Sequence, residues 1–160
     1  SASRAAAWGL AVLPPQVFEA RLAIEPQLAA LAAEKRFPED MAHLREVLTE
    51  LEDEFARTSA YESDLPVHLA IARAARNPIL QHALESALAH TETDLWADLR
   101  RRALVAQQAR EGHIKEAQNV VRYIEAGQAQ YAADVWRRHL VYYRDEMLGL
   151  GNAAASISGS

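Results

Sequence analysis

The sequence predicts an all-α fold, an antiparallel bundle of six helices joined by short links. Three observations predict it. Alanine, leucine, glutamate and arginine dominate, and only six glycines and six prolines interrupt them. Apolar residues recur at spacings of three and four along most of the chain, the period of an amphipathic helix. No stretch shows the two-residue alternation of a strand. With 160 residues, 50% of them apolar, one domain with a sizeable core is expected.

The first helix is expected from about Pro15 to Lys35. Proline suits a first turn because its missing N–H has no partner there anyway. Val17, Ile24, Leu28 and Leu31 form its apolar stripe. The second follows Pro38, with Met41, Leu44, Leu48, Leu51 and Phe55 as the strongest amphipathic signal in the chain. A polar break from Tyr61 to Asp64 precedes the third, Asp64 to about Ala75, with Ser63 as its cap. Its inward face reads His68, Ile71, Ala72 and Ala75. Asn77-Pro78 is a stop and restart: asparagine caps and proline opens the next helix. That fourth helix is expected to run on to about Ala106, lined by Leu80, Leu84, Leu88, Thr91 and Leu95. The fifth covers about Glu111 to Ala126, with His113, Ala117, Val120 and Ile124 on one face, and Gly127 ends it. The sixth covers Gln128 to Leu148, with Ala132, Val135, His139 and Tyr143 on one face. Residues 1–14 read as a linker. Arg4 and the apolar residues after it resemble a signal peptide, but no cleavage site follows. Residues 149–160 read as a disordered tail, being small and polar.

Composition excludes some functions. A formal charge of −5 gives no general attraction to phosphate backbones. The absence of cysteine rules out disulfides and thiolate metal sites and points to a cytoplasmic location. No apolar run is long enough to span a bilayer, so no membrane partner is expected.

Three histidines, His68, His113 and His139, fall on the apolar faces of three different helices. Asp64 lies one turn before His68, so both side chains can reach one point. Imidazole and carboxylate together suit zinc and similar divalent ions, and bundle interiors are where such sites are built. A hydrogen-bonded polar core accounts for the same pattern. His43, His82 and His90 read as surface residues, and Arg100-Arg101-Arg102 as a solvated face. Arg21 sits between Val17 and Ile24, where a guanidinium needs an anion. Glu25, one turn on, can supply it; so can the carboxylate of a bound ligand. There is no phosphate-binding glycine loop, no Gly-x-Ser-x-Gly and no His-Glu-x-x-His, so no catalytic residues are assigned.

Three segments resemble a known family. Val17-Phe18-Glu19-Ala20-Arg21 through Pro26, then Leu31-Ala32-Ala33, resembles the opening helix of the FCD effector-binding domain of FadR-subfamily GntR transcription regulators. Asp64-Leu65-Pro66-Val67-His68, continuing to Asn77-Pro78, resembles its Asp-x-x-Phe-His…Asn-Pro segment, with Val67 in place of phenylalanine. Ile124-Glu125-Ala126-Gly127, continuing to His139-Leu140, resembles its Ala-Gly-Asp…His-Leu segment, with Gln128 in place of aspartate.

The resemblance implies six or seven antiparallel helices enclosing an effector cavity over residues 15–148. A winged helix-turn-helix, absent from this chain, would precede it. It implies a small carboxylate or acyl effector, a homodimer, and contact with operator DNA only through the missing domain. Arg21, Asp64, His68 and His139 match effector-contacting positions. Asp64, His68 and His139 also match three ligands of a zinc- or nickel-type divalent ion that many members hold. The fourth ligand, a histidine in the family, falls on Ala117; either His113, one turn earlier, substitutes for it or the metal site is incomplete. Three alternatives stay open: a metal-free cavity, a metal-dependent enzyme with Glu116 as base, and a structural, dimer-forming bundle with a satisfied polar core.

Overall fold

The computed structural model describes residues 12–103 and 107–150. Among them lie seven helices and no strand: α1 (Pro14–Lys35), α2 (Pro38–Thr58), α3 (Leu65–Ala74), α4 (Pro78–Ala89), α5 (Asp94–Ala103), α6 (Gln107–Glu125) and α7 (Ala129–Leu148). The predicted linker up to residue 11, the tail from residue 151 and the stretch 104–106 lie outside the described residues. No described helix is long and apolar enough to cross a membrane.

The bundle is organised around α1. It packs most extensively along α7 and also touches α3, α4 and α6. Its buried face is Val17, Phe18, Arg21, Glu25, Leu28, Ala29 and Ala32. The predicted Ile24 and Leu31 are only half-buried, so two charged residues stand where an apolar stripe was expected. Pro26 sits inside α1. Lacking an N–H, it leaves the Leu22 carbonyl without its helical partner, and Arg137 of α7 donates to that oxygen over 3.5 Å. At the far end, Lys35 Nζ donates to the Ala75 and Arg76 carbonyls (2.6 and 3.2 Å). This satisfies the C-terminus of α3 and fixes it to α1.

The chain between Pro78 and Ala103 is two helices where one was expected. Thr91 Oγ1 donates to the Leu88 carbonyl (2.6 Å), and Thr91 N reaches the same oxygen (2.9 Å). That oxygen is therefore taken from the helical ladder. Thr93 then restarts the helix, accepting from Trp96 N through Oγ1 (3.4 Å) and from Ala97 N through its carbonyl (3.1 Å). The break resets the inward face. Leu95, expected inside, is 58% exposed, and Trp96 is buried against Phe18 at 5.9 Å between ring centroids. The other boundaries follow their sequence signals. Asn77 Oδ1 accepts from Ile79 N and Leu80 N, both at 3.1 Å, and Ser63 Oγ accepts from Leu65 N.

Gly127 closes α6 at φ +71°, beside the Arg36 guanidinium. Arg36 is exposed and can move aside, so the backbone conformation sets the cost of a side chain here. Gly127→Ala is expected to lower stability by about 1–2 kcal/mol, read as a shift in the urea midpoint without change in slope.

Candidate functional site

Arg21 and Glu25 of α1, Asp64 and His68 at the start of α3, Glu116 of α6 and His139 of α7 form one continuous polar chain through the core. All are buried except Glu116, whose side chain is 26% exposed. Arg21 Nε donates to Glu25 Oε2 (2.6 Å). The other Glu25 oxygen makes a close contact with His68 Nδ1, which also lies 3.3 Å from Arg21 Nη2. On the far side of the ring, His68 Nε2 is 3.2 Å from Asp64 Oδ2. His139 Nε2 is 2.8 Å from the same oxygen and 3.3 Å from His68 Nε2. His139 Nδ1 faces Glu116 Oε1 at 3.1 Å. Trp136 stacks on the His139 ring at 4.5 Å and 10°, and lies 4.3 Å from His68, fixing both ring planes.

The partners set the tautomers. A carboxylate only accepts, so the close Glu25 contact puts the His68 proton on Nδ1 and leaves the lone pair on Nε2. Glu116 does the same for His139. Both lone pairs then point at Asp64 Oδ2, where a cation or a proton must reconcile three electron-rich atoms. Carboxylate–histidine pairs of this kind orient the ligands of metal sites and strengthen them as donors.

The donor set fits a divalent ion. Bonds near 2.1 Å at tetrahedral or octahedral angles require neighbouring donors roughly 3.0–3.4 Å apart. Two of the three separations here, 3.2 and 3.3 Å, lie in that range, and the third, His139 Nε2 to Asp64 Oδ2, is shorter at 2.8 Å. Three protein ligands leave at least one position open. Ala117, fully buried, supplies no donor there. His113 does not join this group. It lies on the other side of His139, with ring centroids 5.0 Å apart and Nε2 3.2 Å from Glu146 Oε2.

Without an ion, protonation does the same work. Burial lowers the His139 pKa, but hydrogen bonds to Asp64 and Glu116 and their charges outweigh it and raise it to about 9. Burial raises the Glu25 pKa, but Arg21 and His68 bring it down to about 2. Asp64 is likewise held well below the usual carboxylate range, the two histidines outweighing its burial. Stability from His139 is complete below its unfolded value of 6.5 and is lost as pH rises through about 9. Stability from Glu25 is present above 4.5 and is lost as pH falls through about 2. Chelator-treated protein is therefore expected to show a Tm that falls steadily from pH 6.5 to 9.5. A flat profile there would contradict the charged pairing of His139.

Arg100, expected on a solvated face, donates from Nη1 to the Thr91 carbonyl (3.4 Å). With Arg21, Asp64, Trp96, Thr91 and Tyr143 it lines an interior cavity of about 10 Å³, room for little more than one water. An outer groove of about 590 Å³ shares Ser63, Leu65, Leu88, Thr91 and Arg100 with that cavity. One layer of side chains separates a ligand-sized space from the polar cluster. The space beside the polar cluster is thus too small for the expected effector. Of the histidines read as surface, His82 is exposed, and His43 and His90 are half-buried.

The sequence brought Arg21, Asp64, His68 and His139 to notice, and the fold brings them together. Glu25 was legible as the partner of Arg21 but not as that of His68. Trp136, one turn before His139, had the right spacing to stack on it but was given no role from the sequence.

A family model described as the FCD domain matches residues 16–142. No curated protein matches the chain.

Proposed function

The chain belongs to the FCD family, the effector-binding C-terminal domain of GntR-family regulators, and from that premise we propose a metal-assisted sensor of a small carboxylate. Asp64, His68 and His139 would hold one divalent ion of zinc or nickel type. The observation that carries this reading is the meeting of Asp64 Oδ2, His68 Nε2 and His139 Nε2 within 3.3 Å, each ring backed by its own carboxylate. When bound, the ion supplies a Lewis-acidic open position for a carboxylate oxygen.

The chain's own residues do the rest. Arg21 lines the small cavity beside Asp64 and adds positive charge to attract an anionic head group. Glu25 shares that charge at rest, which holds the Arg21 side chain in place. The outer groove, with Leu65, Leu69 and Leu88 but also Glu54, Glu62, Glu85 and Glu92 in its wall, has a volume typical of small-molecule sites and would take the rest of the effector. Reaching the cluster requires the Thr91–Arg100 contact to part, so ligand binding favours an open arrangement over the closed one. That differential affinity is what a sensor needs. In the intact regulator, two such domains would pair, and movement at the α4–α5 link would alter the spacing of the DNA-binding domains across operator half-sites.

The enzyme reading needs Glu116 as a base; its Oε1 faces His139 Nδ1 at 3.1 Å, and membership of an effector-binding family does not favour that reading. Thermal melts test the sensor reading. Zinc at about 100 times its Kd stabilises by about 2.7 kcal/mol, which raises Tm by roughly 5–10 °C. Short carboxylic acids are expected to add a further rise in zinc-loaded protein and none in chelated protein. Equal response with and without zinc would remove the metal from the mechanism, and no response to either would remove the sensor site.

A further inference from the structure

We propose that His139 serves two alternative cation seats, one on each ring nitrogen. The inner seat is the one above. The outer seat is formed by His139 Nδ1, Glu116 and His113. The ligand atoms of His113, Glu116 and His139 lie within 4.8 Å of one another, as do those of Asp64, His68 and His139. Glu116 Oε1 is already 3.1 Å from His139 Nδ1, the separation of neighbouring ligands around one ion. Glu146 holds the His113 ring through Nε2 at 3.2 Å, the same carboxylate backing that Glu25 gives His68.

A neutral imidazole offers one lone pair, so the two seats exclude each other. With its proton on Nδ1, donated to Glu116, His139 ligates at the inner seat. With its proton on Nε2, donated to Asp64 at 2.8 Å, it ligates at the outer one. An acceptor is in place for either tautomer, and the stacked Trp136 holds the ring plane. Only the proton and the ion change sides. The histidines of both seats are buried, and the seats differ in their carboxylate: the Glu116 side chain is 26% exposed and that of Asp64 10%. The outer seat is therefore the more open to solvent. Two nitrogens and a carboxylate suit zinc or nickel in both seats.

The inference rests on the inner seat being real, and zinc titration separates the two. Wild-type protein is expected to bind one zinc ion per chain. Asp64→Asn and His68→Ala, each checked for helicity by circular dichroism, are expected to keep one ion at an affinity about 10- to 100-fold weaker. His113→Ala and Glu146→Gln should leave wild-type affinity nearly unchanged. Adding His113→Ala to Asp64→Asn should abolish binding, and adding Glu146→Gln should weaken it about 10- to 100-fold further. Cobalt in the Asp64→Asn variant should show a visible spectrum distinct from wild type, because its ligands differ. Complete loss of zinc in both folded inner-seat variants would overturn the outer seat while leaving the sensor reading intact. Two ions in wild type would overturn the exclusion, and none would overturn both proposals.

Discussion

Arg21→Ala is expected to destabilise the protein by about 3–5 kcal/mol, the cost of leaving a buried charge without its partner. Arg21 and Glu25 are 3% and 1% exposed, and their ion pair at 2.6 Å lies where water cannot replace either member. Without the guanidinium, Glu25 keeps only His68 as a hydrogen-bond partner. Its pKa, held at about 2 chiefly by Arg21 against its burial, must then rise. Glu25 would take a proton, and the carboxylate that fixes the His68 tautomer would be lost. Arg21→Lys is expected to recover little, since the contact uses the Nε of a planar guanidinium, a position that an ammonium on a flexible stem does not reproduce. Replacing both residues by methionine should recover most of the loss, because apolar residues of similar volume commonly replace a buried pair without penalty. Urea denaturation of the four proteins gives the comparison. A loss below about 1 kcal/mol for Arg21→Ala would mean that the pair is not the buried interaction described.

His139→Ala is expected to have the largest effect on ligand binding. The side chain is fully buried and contacts Asp64, His68, Glu116 and Trp136. Its loss removes a donor from both cation seats, so zinc affinity should fall on the order of 100-fold or more, given the free energy that each ligand of a structural zinc site contributes. The metal-free protein should also lose about 2–3 kcal/mol, since Asp64 is left without its best donor. A zinc-induced rise in Tm that survives in His139→Ala would take the ion away from the core altogether.

The fold was legible wherever local chemistry decides it. Asn77-Pro78, Pro38 and Gly127 mark helix ends through their own backbone requirements. The broken helix at His90 to Thr93 was not legible, because apolar spacing runs on through Leu84, Leu88, Thr91 and Leu95 as if unbroken. Two threonine hydroxyls, each competing with the backbone, outweigh that pattern. On α1, apolar spacing pointed to Ile24 and Leu31, but the buried positions are Arg21 and Glu25. A charged pair can occupy a core face only if another element supplies its remaining partner, and His68 comes from a helix 43 residues away in sequence. The spacing Asp64-x-x-x-His68 was readable as a shared face. The carboxylates behind the two rings were not, because Glu25 and Glu116 meet their histidines only after the helices pack. The displaced His113 was readable as inward, but the side of His139 on which it lands is set by the packing of α6 on α7.

Crystals grown with zinc and recorded at the zinc absorption edge test the central claim most directly. One anomalous peak about 2.1 Å from Asp64 Oδ2, His68 Nε2 and His139 Nε2 is expected. A core without anomalous signal, or zinc confined to surface carboxylates, would contradict it.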